Sequence, residues 1–363
     1  MKVKSVEVRH IRLPLEPKIV SAVGSVDHLG CLLVVVSGSG GVHGENVVFT
    51  LNDRFTMVLR DLICELAKQI VDREVEDLAA NWDAMQSALG FFGVKGFSTM
   101  AIGALDGALW DLAGKERGLS ISSMLGRRQE VVNIYDSGGL WLHMSEAELA
   151  DYAEASLGAG FRAMKLRLGA ETVKEDFARI EALASAVAGR AFLMADANQF
   201  YGEQAAIEVG QGLQRAGFGW YEEPSSQLDL KAAERIREAV DVPIASGENC
   251  YSRFDAIDLI ASNSLQVFMP DLQRIGGVTE FARSMVLAQD GGLDISTHLF
   301  PEYSLQLLAT AEKQGYLEYV PWFSGLYNET VEMRDGLALV PDRPGWGFTL
   351  NWNAIEPFEV SRG

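Results

Sequence analysis

The sequence predicts an α/β protein: a (β/α)8 barrel of the TIM type carrying an N-terminal α+β capping domain. Three observations lead there. From about Val131 onward, short apolar runs alternate with amphipathic helical patterns over about 190 residues, the pattern of repeated β/α units. Before that point strands come first and helices after, as in an α+β unit. A doubly wound open sheet is the competing architecture, and the nucleotide loop that usually marks it is missing.

In the first stretch, Val3, Val6 and Val8 fall near period two, and Leu32–Val36 is a β-branched run closed by SGSGG. A dinucleotide loop needs Gly-x-Gly-x-x-Gly, but counting from Gly38 and Gly40 the third glycine position falls on His43. A hairpin turn is therefore expected. Helical spacing follows from about Phe55 to Gly90 (Val58, Leu62, Leu66, Ile70), and Ser98–Lys115 reads as a helix rich in Ala and Gly.

The barrel strands are expected at VVNIYD, FRAMKLRL, AFLMAD, FGWYEE, VPIASGE, LQVFMPD, LDISTH and YLEYV. Helices are expected between them, at Glu146–Leu157, Val173–Val187, Ala205–Arg215, Leu230–Val240, Phe254–Ala261, Thr279–Gln289 and Ser304–Ala311. The tail from Leu326 is turn-rich and strand-like, and is expected to pack back on the cap. The resulting division is a cap of 1–128, completed by 327–363, around a barrel of 129–326.

Composition removes several classes of function. A net charge of −19 opposes a nucleic-acid or anionic-membrane surface, and an anionic substrate would need a local island of cations. The three cysteines, Cys31, Cys64 and Cys250, form no CxxC pair or metal-ligand spacing, which suits free thiols in a reducing cytoplasm. MKVKSVEVRHIRLPL alternates like a strand and lacks the apolar core of a signal peptide, and the apolar run Cys31–Val36 is too short to span a bilayer.

In a barrel of this kind function collects at the C-terminal ends of strands. Those positions carry Lys165 and Arg167, Asp196 and Asn198, Glu222 and Glu223, Glu248, Asp271, His298 and Glu318. Asp196, Glu222 and Glu248 are spaced by 26 residues each (196 to 222 to 248), about one β/α unit. Three consecutive strands thus deliver one carboxylate apiece to the same rim. Clustered carboxylates repel unless a cation or protonation neutralises them. An all-oxygen set without His or Cys favours Mg2+ over zinc.

The layout resembles the enolase superfamily, in particular its mandelate racemase subgroup (mandelate racemase/muconate lactonizing enzyme family). The segments that carry the resemblance span nearly the whole chain: AVGSV, GALDGALWDLAGK, MKLRLG, ADANQ, WYEEP, SGEN, MPD with QRIGGVT, STHLF and PDRPGWG. It implies a cap closing over a modified TIM barrel, with Mg2+ on Asp196, Glu222 and Glu248. It also implies a general base from His298 paired to Asp271, an acidic Glu318, and assembly into a homo-oligomer. Elementary chemistry agrees. Removing the proton beside a carboxylate builds a dianionic enolate, which Mg2+ and the Lys165 ammonium would stabilise. Asp271 would fix the His298 tautomer, and Glu318, if its site kept it protonated, would donate a hydrogen bond to the substrate carboxylate. Asn198 is a candidate for binding a substrate hydroxyl.

One position departs from the family pattern. Where the racemase motif is Lys-x-Lys, this chain has Lys165-Leu166-Arg167. An arginine keeps its proton far above physiological pH and makes a poor second base, so a two-base racemisation loses one partner. Dehydration of a sugar acid to a 2-keto-3-deoxy acid, with His298 as the base, is the favoured expectation. The cap loop Ile19–His28 pulls the other way: IVSAVGSV is apolar, with Asp27 and His28 its only evident recognition groups. A racemase or epimerase of a mandelate-type 2-hydroxy acid therefore stays open, as does, more remotely, a non-catalytic barrel that binds metal and small acids.

Overall fold

The computed structural model describes residues 1–360. The chain begins with three antiparallel strands in the order β1 (Val3–Ser21), β2 (Gly24–Gly38) and β3 (His43–Leu51). Ser37 pairs with His43, so the glycine cluster is a hairpin turn as expected. The continuous apolar run of β2 is explained by burial on both faces. Leu32, Val34 and Val36 point to a core shared with the cap helices, whereas Leu29, Cys31 and Leu33 join the barrel core.

The helices α1 (Thr56–Ala67), α2 (Leu78–Ala88) and α3 (Phe97–Arg117) cover the first of those faces. The spacing from Phe55 to Gly90 therefore resolves into two helices rather than one. Between them Asp72 adopts a left-handed φ of 65°, and the backbones of Asp72 and Arg73 bond to Val3 at 2.9 Å. A tertiary pairing thus displaces the helix that local spacing favours.

Helix α3 is wedged between β3 and the barrel. A side chain at Gly103 would meet the Gln273 carbonyl and the Gly277 amide at 2.9 Å, a separation only glycine tolerates. The buried Asp106 of α3 accepts from Thr279 N–H (2.9 Å) and Thr279 Oγ1 (2.7 Å). Trp82 donates to the Gly276 carbonyl at 2.8 Å, and the Gln273 amide bonds both backbone groups of Phe49 (2.7 and 3.0 Å). Cap and barrel loop 273–279 thus share a dry polar seam.

After a single turn, α4 (Ile121–Met124), the barrel follows in strict alternation. It runs β4 (Val131–Asp136), α5 (Glu146–Gly158), β5 (Ala163–Arg167), α6 (Val173–Val187), β6 (Phe192–Asp196), α7 (Glu203–Arg215), β7 (Trp220–Glu222) and α8 (Leu230–Ala239). It continues with β8 (Ile244–Ser246), α9 (Arg253–Ala261), β9 (Val267–Phe268), α10 (Val278–Asp290), β10 (Asp294–Ile295), α11 (Pro301–Leu308) and β11 (Leu317–Tyr319). All eight expected strands are present and parallel. The ring closes where β11 pairs with β4 and the Thr297 amide reaches the Tyr316 carbonyl. Capping boxes at Ser145/Glu148 and Thr172/Glu175 fix the starts of α5 and α6.

The tail does more than return to the cap. Its hairpin, β12 (Met333–Arg334) and β13 (Leu337–Leu339), lies antiparallel on the first half of β4. Farther on, Trp346 N–H and Leu350 N–H bond Asp111 and Glu45 of the cap. No helix among the described residues is long and apolar enough to cross a membrane.

Candidate active site

Register places the rim. Arg167 lies opposite Asp196, and Asp196 opposite Glu222, on three adjacent strands. Glu248 follows β8 after Gly247, whose φ of 128° turns the chain over the barrel mouth. Asp271 and His298 face each other across a backbone bridge beyond β9 and β10, and Glu318 sits in β11.

The three carboxylates are neutralised by three cations. Lys165 Nζ is 2.9 Å from both oxygens of Glu222, 2.8 Å from Glu318 and 3.6 Å from Asp196. Arg167 pairs with Asp196, donates to Ser137 Oγ at 2.8 Å, and sits over the Trp141 ring with Cζ 4.7 Å from its centroid. Arg274 bonds Glu248 at 2.9 Å. This is the cation island that an anionic substrate demands. Burial and then Arg167 press the Lys165 pKa down, but Glu222, Glu318 and Asp196 outweigh them and hold it above the ordinary lysine value. Burial, reinforced by the Asp196 charge, pushes Glu222 well above the usual carboxylate range against the pull of Lys165.

The neighbours of Glu318 favour its charged form over the protonated one that a donor role requires. Burial alone would protonate it, but Lys165, His298 and Arg167 together hold it well below the usual range. Its oxygens accept from Ser137 Oγ (2.8 Å) and Leu299 N–H (2.7 Å). Both oxygens thus face hydrogen-bond donors.

His298 Nδ1 is 2.7 Å from Asp271 Oδ2. With an acceptor there, Nδ1 carries the proton and Nε2 is the free nitrogen. Burial lowers the His298 pKa, while Glu248 and the Asp271 bond raise it, leaving it above the ordinary histidine value.

His298, Arg167, Asn198 and Glu248 open onto a cavity of about 290 Å3, roofed by Ile19, Val23, Val26, Phe49 and Leu51 of the cap. Asp196, Glu222, Lys165 and Glu318 are buried beneath its floor, with Asp271 behind His298. His28 does not belong to the site. It stands opposite Pro14, across a register shift from the Ile19–Val26 pair, and its ring is taken by Asp27. Sequence reasoning missed Trp141, Gln199, Asn249 and Arg274, which also line the cavity, and gave no role to Glu223. None ends a strand, apart from Glu223 immediately after β7; the only available signal was proximity to a strand end.

Among the described residues no three His, Cys, Asp or Glu side chains close on a single point as a metal site. Each carboxylate is turned to a cation of the chain: Glu222 to Lys165, Asp196 to Arg167 and Glu248 to Arg274. The donor chemistry nevertheless fits a hard cation. The set is all oxygen, and the buried Glu248 Oε2 and Asn198 Oδ1 have no hydrogen-bond donor, a state that costs free energy unless a ligand supplies the partner.

Comparison with known proteins gives a consistent picture. Residues 148–354 match the family described as "Enolase C-terminal domain-like", and residues 3–126 match "Mandelate racemase / muconate lactonizing enzyme, N-terminal domain". The chain is 31% identical over 290 residues to L-talarate/galactarate dehydratase of Salmonella typhimurium, covering 80% of this chain and 73% of that protein. Its fold superimposes on a racemase from Streptomyces coelicolor with bound magnesium at a TM-score of 0.95, with 28% identity over 99% of this chain and 100% of that one. An enolase from Bradyrhizobium complexed with magnesium and mandelic acid gives a TM-score of 0.93 at 25% identity, with 99% of each chain covered.

Proposed function

Since this chain belongs to the mandelate racemase/muconate lactonizing enzyme family of the enolase superfamily, we propose that it removes the α-proton of a small carboxylate substrate with Mg2+ held by Asp196, Glu222 and Glu248, and that the overall reaction is dehydration of a sugar acid to a 2-keto-3-deoxy acid. The observation that carries this reading is the rim itself: a His–Asp pair and a lysine set around three carboxylates, with an arginine in place of a second base. The relatives include dehydratases of sugar acids, which supports the same choice.

Bound Mg2+ would supply positive charge to the substrate carboxylate as its α-carbon loses a proton. Lys165, fully buried and held charged by its neighbours, adds a second fixed charge on the same side. His298 Nε2 takes the α-proton, and Asp271 keeps the ring oriented and stabilises the imidazolium. The same imidazolium then protonates the departing β-hydroxyl. Water leaves, and the resulting enol tautomerises to the 2-keto-3-deoxy acid. Arg167 stays charged and holds the substrate electrostatically. Asn198, its oxygen unpartnered, receives a substrate hydroxyl.

A second reading has its own support. The cap roof is apolar, and a structural neighbour binds mandelic acid, which favours a racemase or epimerase of an apolar 2-hydroxy acid. Incubation in D2O with Mg2+ and a panel of sugar acids and 2-hydroxy acids separates the cases. Release of a 2-keto-3-deoxy acid is expected. Deuterium at the α-carbon without water loss would replace dehydration by racemisation, and no exchange with any acid would leave only a binding barrel. The same reading treats residues 1–128 with 327–363 as the cap around barrel residues 129–326. It also takes the protein as a cytoplasmic homo-oligomer, in keeping with the exposed, mutually packed rings of Phe91 and Phe92.

A further inference from the structure

Arg274 has no part in the proton-transfer roles above, yet it touches both arms of the site. Its backbone N–H donates to Asp271 Oδ1 at 2.7 Å, which fixes where the residue stands. Its Nη1 reaches Glu248 Oε1 at 2.9 Å, the Glu248 carbonyl at 3.1 Å and Asn249 Oδ1 at 3.0 Å. One oxygen of each carboxylate is thus occupied, and the other is left for a different partner. On Asp271 the other oxygen takes His298. On Glu248 it is Oε2, buried, without a hydrogen-bond donor, and 3.4 Å from His298 Nε2.

We propose that Arg274 is a positioning residue for the cation site: its guanidinium clamps Glu248 through Oε1 and the carbonyl so that only Oε2 is presented to a divalent cation. The inference rests on the Mg2+ reading given above. Nη1 alone makes all three contacts, tying Oε1 of Glu248 to the carbonyl of the same residue and to Asn249 Oδ1, so the carboxylate is held by one oxygen against its own backbone. The opposite role is that of a plain counter-ion competing with the metal for Glu248. The two roles predict opposite signs. Removing a competing positive charge strengthens cation binding, whereas removing a group that orients a ligand typically weakens it about 10–100-fold.

The test is calorimetric titration of MgCl2 into metal-free protein, for wild type, Arg274→Met and Arg274→Lys, with the metal-free melting temperature measured alongside. The expected result is weaker Mg2+ binding by about 10–100-fold in the methionine variant. The lysine variant should fall between it and wild type, with metal-free stability preserved. Methionine binding equal to or tighter than wild type overturns the proposal. If the methionine variant does not fold, the lysine variant decides alone: weaker binding supports the clamp, and equal or tighter binding overturns it. Failure of wild type itself to bind Mg2+ would sink the metal assignment, and this role with it.

Discussion

The cavity has two walls built on opposite principles. The barrel rim brings Arg167, Asn198, Glu248, Arg274 and His298 to its surface, each charged or polar and most tied to a neighbour. The cap facing it contributes Ile19, Val23, Val26, Phe49 and Leu51, with Ser21 the lone polar side chain. A wall of interlocked charges tolerates little change, because each group fixes the next. An apolar wall constrains only shape and can vary without disturbing the pairs opposite. In the proposed function this difference assigns reaction type to the rim and substrate choice to the cap.

Four experiments press on that division. The largest effect is expected from exhaustive chelation, which should abolish turnover until Mg2+ is returned; full activity without metal would break the rim's side of the comparison. His298→Asn should lower kcat by about 10^2–10^4-fold with an unchanged circular-dichroism spectrum, and retained turnover would remove His298 as the base. Arg167→Lys sharpens the contrast further. It should cost about tenfold in dehydration, while substrate recovered from D2O becomes deuterated and partly inverted; recovered substrate of unchanged configuration would show that a lysine here is no second base. Val26→Asn, on the cap, should shift the kcat/KM ratio between a polyol acid and an apolar 2-hydroxy acid by about tenfold. An unshifted ratio would mean the roof does not select.

How much was legible follows the same line. The barrel was readable element by element because short apolar runs and helical patterns alternate without interruption; Val173–Val187 agrees to the residue, and the structure shows its start fixed by the Thr172/Glu175 capping box. The strand ends that carry Arg167, Asp196 and Glu222 were legible because each closes an apolar run, and the register sets the three side by side. Arg274 was not, since it stands three residues past Asp271, in a loop, and its meaning depends on Glu248 of the neighbouring unit. His28 was misplaced because residue type says nothing about a register shift. For Glu318 the donor role stayed conditional, because the sequence does not show that Lys165 lies 2.8 Å away.

The seam between α3 and loop 273–279 has a mechanical consequence. Asp106, Trp82 and Gln273 bind the cap to the barrel through bonds sealed from water. Asp106→Ala should therefore cost about 2 kcal/mol in denaturant unfolding with turnover per folded molecule unchanged. Seam and cavity roof are thus separate parts of the cap: the roof is most open to solvent at the tip of the β1–β2 hairpin, where Val23 lines the cavity and is 69% exposed.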